Sequence, residues 1–372
     1  MTTVPLYDLG PVGWLALVGA LLALGPLAWV WVRHRHEGPA ARRKALTVLT
    51  LFLTFDLVVF GAFTRLTDSG LGCPDWPGCY GEASPLQAHA EIRAAETAMP
   101  TGPVTRGKAW IEMVHRYLAT AVGALITALM ALAWRDRRRG AVQAVSPWWP
   151  TLTFVWVCAQ GAFGALTVTM KLYPAIVTAH LLGGVGLLVL LVVQSEGYLK
   201  RPLPLTPGLR RAAVGVFLLA LAQVTLGGWV STNYAVLACT DFPTCQGQWW
   251  PPMDAEHGFA IFRELGLGRH GDVLPFAALT AIHMAHRVGA AVLTVALLAF
   301  AWALRHHGHP ASRRFALGLV ALLGWQVASG LGNVVLGWPL VAALAHTAGA
   351  AGLLTLLGAL MARARASAPA GP

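Results

Sequence analysis

The sequence predicts an all-α polytopic membrane protein: two pseudo-symmetric four-helix bundles related as a parallel internal repeat, preceded by one extra N-terminal transmembrane helix. Three observations predict it. The 372 residues are 56% hydrophobic and only 12% charged, with a mean hydropathy of +0.60, which is more apolar sequence than a soluble core of this length would bury. Landmark residues recur at one fixed displacement. Basic residues alternate from loop to loop, as membrane topology requires.

Runs of about 20 mostly apolar residues fall at 12–32, 45–66, 111–134, 148–170, 175–195, 211–231, 278–304, 315–337 and 340–362. The first run carries Pro26, has no basic stretch ahead of it and is followed by a basic cluster, so it reads as a retained anchor rather than a cleaved signal peptide. It stands outside the repeat, and residues 1–44 form a separate segment. Basic residues gather in every second connection: Arg33, Arg35, Arg42, Arg43 and Lys44; Arg135, Arg137, Arg138 and Arg139; Lys200, Arg201, Arg210 and Arg211; Arg305, Arg313 and Arg314; then Arg363 and Arg365. These make up 18 of the 27 Lys and Arg, which places the N-terminus outside and the C-terminus inside a cell inner (cytoplasmic) membrane. The same bias accounts for the net charge of +11 without a nucleic-acid partner.

Cys73 and Cys239, Cys79 and Cys245, Gln160 and Gln326, and His180 and His346 are each 166 positions apart; His115 and His286 are 171 apart, which places five extra residues in the second outer loop. Internal repetition of this kind fixes the domain plan: a half at 45–200 and a half at 201–372, four spans each. An even number of spans per half gives both the same orientation. Gly61, Gly161, Gly164, Gly227, Gly228, Gly330 and Gly332 are placed for close helix approach, the usual use of small residues in lipid.

The outer loops carry CPDWPGC at 73–79 and CTDFPTC at 239–245. In an oxidising compartment the expectation is two local disulfides, Cys73 with Cys79 and Cys239 with Cys245. A zinc site is a weaker rival for lack of histidines at suitable spacing, and a redox role stays open beside a structural one. Cys158, inside a span, reads as a buried, inert thiol. Asp56, also mid-span, reads as a buried hydrogen-bonding group.

Histidine inside a membrane is costly and points to function. His115, His180, His286 and His346 each sit near the outer end of an inward-running span, so all four share a depth. Two neutral imidazoles from facing helices suit bis-histidine ligation of haem iron, which pairs His115 with His180 and His286 with His346. Glu112 precedes His115 by three residues and shares its helix face. It is either a chemical acid beside that site or a partner for Arg116. The matching position in the second half is His283, a second-choice ligand because His286 shares the HR dipeptide with His115. Arg65, Arg116 and Arg287, near the outer surface, are candidates for pairing haem propionates or for interfacial anchoring.

TRLTDSGLGCPDWPGCYG at 64–81, IEMVHR at 111–116, AHLLGG at 179–184, CTDFPTCQGQWWPPMD at 239–254, AHR at 285–287 and AHTAG at 345–349 resemble the haem A synthase family in its cysteine-containing type, over about residues 45–362. The resemblance implies an oxidoreductase acting on a CH/CH2 group. It would convert a methyl group of haem O, through an alcohol, to the formyl group of haem A for terminal oxidases. It further implies that His115 and His180 hold the haem O substrate, that His286 and His346 hold a resident haem b, and that Glu112 is the catalytic glutamate. Implied partners are a haem O synthase, an electron acceptor or donor, the lipid bilayer and a further copy of the chain in a homo-oligomer. The alternative is a quinol-linked two-haem cytochrome, which needs the four histidines but not Glu112. A parallel-repeat transporter has no use for paired histidines at one depth.

Overall fold

The computed structural model describes residues 10–140, 145–199, 201–268 and 271–366, with backbone only at 365 and 366. Lys200 and the side chain of Arg365, both used in the sequence reading, lie outside the described residues. In chain order the elements are α1 (Gly10–Arg33), α2 (Pro39–Leu66), α3 (His89–Ala98), α4 (Arg106–Arg138), α5 (Trp148–Thr169), α6 (Pro174–Leu199), β1 (Leu203–Leu205), α7 (Pro207–Thr232), a 3-10 turn (Ala235–Ala238), α8 (Ala255–Gly258), α9 (Phe276–His306), α10 (Pro310–Val335), α11 (Leu340–Arg363) and β2 (Ala364–Ala366). Among the described residues nine helices are long and apolar enough to cross a membrane, and they coincide with the nine apolar runs. The protein is an all-α multi-pass membrane protein.

Local chemistry sets the helix boundaries. Pro39, Pro207 and Pro310 open α2, α7 and α10, where the missing N–H is no loss. The hydroxyls of Thr105 and Thr206 accept N–H bonds from Lys108 and Leu209, each at 3.3 Å, and so cap α4 and α7. Two turns between helices use consecutive left-handed residues, Lys171 with Leu172 and Gly337 with Trp338, and these pairs are 166 positions apart.

The chain divides into two compact units, Met1–Leu172 and Tyr173–Pro372. This is a different division from the sequence halves, because α6 belongs to the second unit. In the first unit α1 packs chiefly on α4 and also meets α2. Gly19 of α1 lies so close to Thr120 of α4 that a Cβ would collide with it. Leu15 of α1 joins Cys73, Cys79 and Met113 in one buried cluster, and Ala23 and Val30 join Leu46, Leu125 and Leu129 in another. The extra helix therefore buttresses the helix that carries Glu112 and His115. At the basic end of this unit Arg43 of α2 pairs with Asp136 of α4. In the second unit α7 packs on α9, α9 on α10, and α10 on α11, with α6 against α7 and α11. The parallel pair β1–β2 ties residues 203–205 to 364–366.

Two sequence expectations are corrected. Cys158 is exposed on α5 rather than buried. Asp56 is exposed on α2, on the same stripe as exposed Val48 and Phe52. The reason is common to both. A membrane helix is apolar on every side, so its sequence does not reveal which face meets neighbours and which meets lipid.

Candidate functional site

The outer loops carry two disulfides, Cys73–Cys79 with Cα atoms 4.9 Å apart and Cys239–Cys245 with Cα atoms 4.7 Å apart. Each loop is wound around its aspartate. Asp75 accepts the N–H groups of Tyr80 and Gly81, both at 2.6 Å; Asp241 accepts those of Gln246 at 2.7 Å and Gly247 at 3.0 Å, at positions shifted by 166. The hydroxyl of Thr244 adds a bond to Asp241 at 2.5 Å, and together these donors hold the Asp241 carboxyl down to about 2. The bridge Cys79–Glu82 recurs as Cys245–Gln248, and cis peptides precede Pro77 and Pro243. Hydrogen bonds thus match across the repeat, loop by loop.

Arg116 and Arg287 hold these loops onto their helices. The Arg116 guanidinium donates to the carbonyls of Asp75 (3.1 Å), Pro77 (3.1 Å) and Gly78 (2.5 Å). Arg287 donates to Cys239 (3.2 Å), Asp241 (2.8 Å) and Thr244 (2.8 Å). The sequence offered both as propionate partners; each guanidinium gives N–H groups to three loop carbonyls, while Nε of Arg287 has no hydrogen-bond partner among the described residues. Arg65 pairs with Asp68 at 3.3 Å.

In the first unit Glu112 is buried, 3% exposed, one turn of α4 from His115. Its carboxylate takes the Cys73 N–H at 2.8 Å and an ion pair with buried Arg116. Both sequence readings of Glu112 are therefore compatible: it is Arg116's partner and it lies beside His115. The His115 ring packs against Phe60 of α2, with ring centres 6.1 Å apart, and over Gly61, where a Cβ would stand 3.0 Å from Cε1.

His180 is on α6 in the second unit, half-buried, and its Nδ1 has no hydrogen-bond partner among the described residues. His286 of α9 lies over Gly227 of α7, where a Cβ would be 3.0 Å from its Cε1; His346 of α11 lies over Gly330 of α10, with the corresponding distance 3.2 Å. Each of these rings has its Nδ1 engaged. The Gln223 carboxamide is 2.9 Å from Nδ1 of His286, and the Ser329 hydroxyl is 3.1 Å from Nδ1 of His346. Nε2 is the ring nitrogen outside these contacts. Their ring centres are 6.3 Å apart, with planes at 80°. Two imidazoles on opposite sides of one iron, each with a bond of about 2 Å and a ring centre about 1.2 Å further on, need about 6 Å. The pair fits a single haem iron. His283 is 4% exposed and its Nδ1 bonds to the Ala235 carbonyl at 3.0 Å, so it pins the 3-10 turn.

Sequence reasoning missed the glycines as ring seats, and it missed Gln223 and Ser329; Gln326 entered it only as a repeat landmark. A signal for the first existed, because Gly61 and Gly227 are separated by the repeat displacement. Gln223 and Ser329 had none, since Leu57 and Phe163 stand at the matching first-half positions.

Comparison with known proteins adds an independent line. The family described as COX15-CtaA, cytochrome oxidase assembly protein, matches residues 44–358. A protein of Shewanella oneidensis named Heme A synthase is 38% identical over 321 residues, covering 83% of this chain and 92% of that protein. Proteins of the same name from Halalkalibacterium halodurans and Paracoccus denitrificans are each 28% identical, over 315 and 358 residues, covering 82% and 87% of this chain and 90% and 87% of theirs. With the match spanning both disulfide loops and all four histidine-bearing helices, the chain belongs to the haem A synthase family, the COX15-CtaA cytochrome oxidase assembly proteins.

Proposed function

We propose that this protein makes haem A for terminal oxidases, oxidising a methyl group of haem O to a formyl group through an alcohol. One observation carries the reading. Glu112 is fixed by Cys73 N–H and Arg116 beside His115, whereas the matching second-half position, His283, serves the Ala235 carbonyl. An acid in one half and none in the other suits a chain with one reacting site and one electron-carrying site.

In this reading Glu112 takes a proton released at the methyl carbon or steadies the positive charge that develops there. Arg116 and the Cys73 amide keep the carboxylate in one place, so little reorganisation accompanies the step. His115 is a ligand of the substrate haem, and His180 keeps the role that the resemblance gives it. His286 and His346 hold a resident haem b, and Gly227 and Gly330 admit their rings. That haem supplies one-electron transfer. Arg65, Arg116 and Arg287 remain the candidate propionate contacts. The halves 45–200 and 201–372 are then functional divisions, substrate side and electron side.

The basic residues at 33–44, 135–139, 200–211, 305–314 and 363–365 support an inner-membrane location with the N-terminus outside, and two disulfides in the opposite loops support an oxidising outer compartment. A haem O synthase, an electron acceptor or donor and a second copy of the chain are the partners this function calls for. Co-expression with a haem O synthase, in a host that makes no haem A, tests the reading by mass analysis of extracted haem. Formyl haem is expected; only haem O and haem b would overturn it.

A further inference from the structure

We propose that Ser329 is a positioning residue for the second-unit haem ligand His346, holding it with the ring proton on Nδ1 and thereby setting how readily the iron accepts an electron. The inference rests on the reading that His286 and His346 ligate a resident haem.

The Ser329 hydroxyl lies 2.7 Å from the Trp325 carbonyl, one turn back on α10, and 3.1 Å from Nδ1 of His346. A hydroxyl has one proton, and the shorter bond to a carbonyl, which can only accept, claims it. Toward the ring Ser329 is therefore an acceptor, Nδ1 carries the hydrogen, and the Nε2 lone pair is left for iron. The neighbouring side chains hold the same turn of α11: Trp325 donates to Ala345 O and Gln326 to His346 O, both at 2.8 Å. Three residues of α10 thus fix the height and rotation of one imidazole.

Gln223 of α7 meets His286 differently. Its amide nitrogen is 2.9 Å from both Nδ1 and the backbone carbonyl of His286. That carbonyl only accepts, so the nitrogen end is fixed toward the ring and Gln223 donates to Nδ1. It offers no acceptor for a proton there and is no part of the proposal.

An acceptor on Nδ1–H raises the basicity of the coordinating nitrogen and favours ferric iron. The first half carries Phe163 at the position matching Ser329, and its side chain cannot accept a hydrogen bond. That position therefore offers an acceptor only in the half read as keeping its haem.

The test uses full-length protein purified with its haem, measured by haem content, redox titration and resonance Raman spectroscopy. His286→Ala and His346→Ala check the underlying reading: if neither loses haem, that reading fails, whatever the other variants do. If they lose it, Ser329→Ala should retain the haem or bind it less tightly, with the ferrous-to-ferric ratio at fixed potential raised severalfold, up to about tenfold or 59 mV for one electron. Ser329→Thr should restore the parent value. Haem loss in Ser329→Ala that Ser329→Thr repairs also supports the proposal. An unchanged potential in Ser329→Ala, or one that Ser329→Thr leaves shifted, overturns it.

Discussion

Glu112 and Arg116 form a buried ion pair one turn apart on α4, and the same carboxylate accepts the N–H of Cys73, whose disulfide partner Cys79 lies in the loop that Arg116 staples. The acid, the arginine and the loop are one construction. Each member holds the other two, so loss of any one propagates to the acid.

Removing one charge of a buried pair leaves the other uncompensated, at about 3–5 kcal/mol. Glu112→Ala is expected to cost stability of that order, with Glu112→Gln costing less because it still accepts from Cys73 and Arg116. Thermal unfolding in detergent measures the difference. Equal stability of Glu112→Ala and wild type would contradict the tie.

Gly227→Ala places a methyl 3.0 Å from the His286 ring, tighter than an ordinary contact, so the imidazole must shift away from the position proposed for ligation. Haem per chain should fall while the fold persists. Gly161→Ala is the control, since nothing lies within 4 Å of its Cβ. Equal haem in both variants would contradict the ring-seat assignment.

Opening the Cys73–Cys79 loop by double substitution with serine should remove about 2 kcal/mol of loop restraint and release the amide that anchors Glu112. Opening Cys239–Cys245 should spare the acid. Conversion of haem O by the first variant is expected to fall well below that of the second. Equal conversion by both would separate Glu112 from its loop.

Asp241 titrates near 2 in the folded loop, below its ordinary 3.8, because Thr244, Gly247 and Gln246 donate to the carboxylate. A depressed folded value contributes stability above the ordinary value that is lost as pH falls through the folded one. The loop around Cys239–Cys245 should therefore keep amide-exchange protection at Gln246 and Gly247 at pH 3.8 and lose it as pH approaches 2. Asp241→Asn should weaken that protection at neutral pH. Protection that disappears well above pH 3.8 in the wild type would contradict this.

His286 and His346 present ring planes at 80°. Nearly perpendicular imidazoles on one haem iron give a strongly anisotropic low-spin ferric signal, and under the proposal that these two rings hold a haem, electron paramagnetic resonance should show it. A signal of the parallel-plane type would mean the rings rotate on binding haem.

The fold was largely legible because lipid imposes a length rule: a helix of about 20 apolar residues is visible without knowing its neighbours. The landmarks of the two outer loops were legible too, and the hydrogen bonds of Asp75 and Asp241 match at the displacement of 166. Faces were not legible. Cys158 and Asp56 were read as buried because apolar surroundings in sequence do not distinguish a neighbouring helix from lipid. The contact between α1 and α4 was hidden for the same reason, since it depends on Gly19 meeting Thr120. At the site, residue type named the histidines and Glu112. The loop-stapling use of Arg116 and Arg287 was invisible, because their acceptors are backbone carbonyls that carry no residue identity. Ser329 and Gln223 escaped because the repeat predicts likeness, and these two differ from their counterparts.

The central claim is a division of labour between an acid-bearing half and a haem-retaining half. It is tested most directly by mass analysis of the haem extracted from Glu112→Gln and His286→Ala made alongside a haem O synthase. The account predicts that Glu112→Gln keeps haem b and leaves haem O unconverted, while His286→Ala lacks haem b. Wild-type amounts of haem A from Glu112→Gln would contradict it.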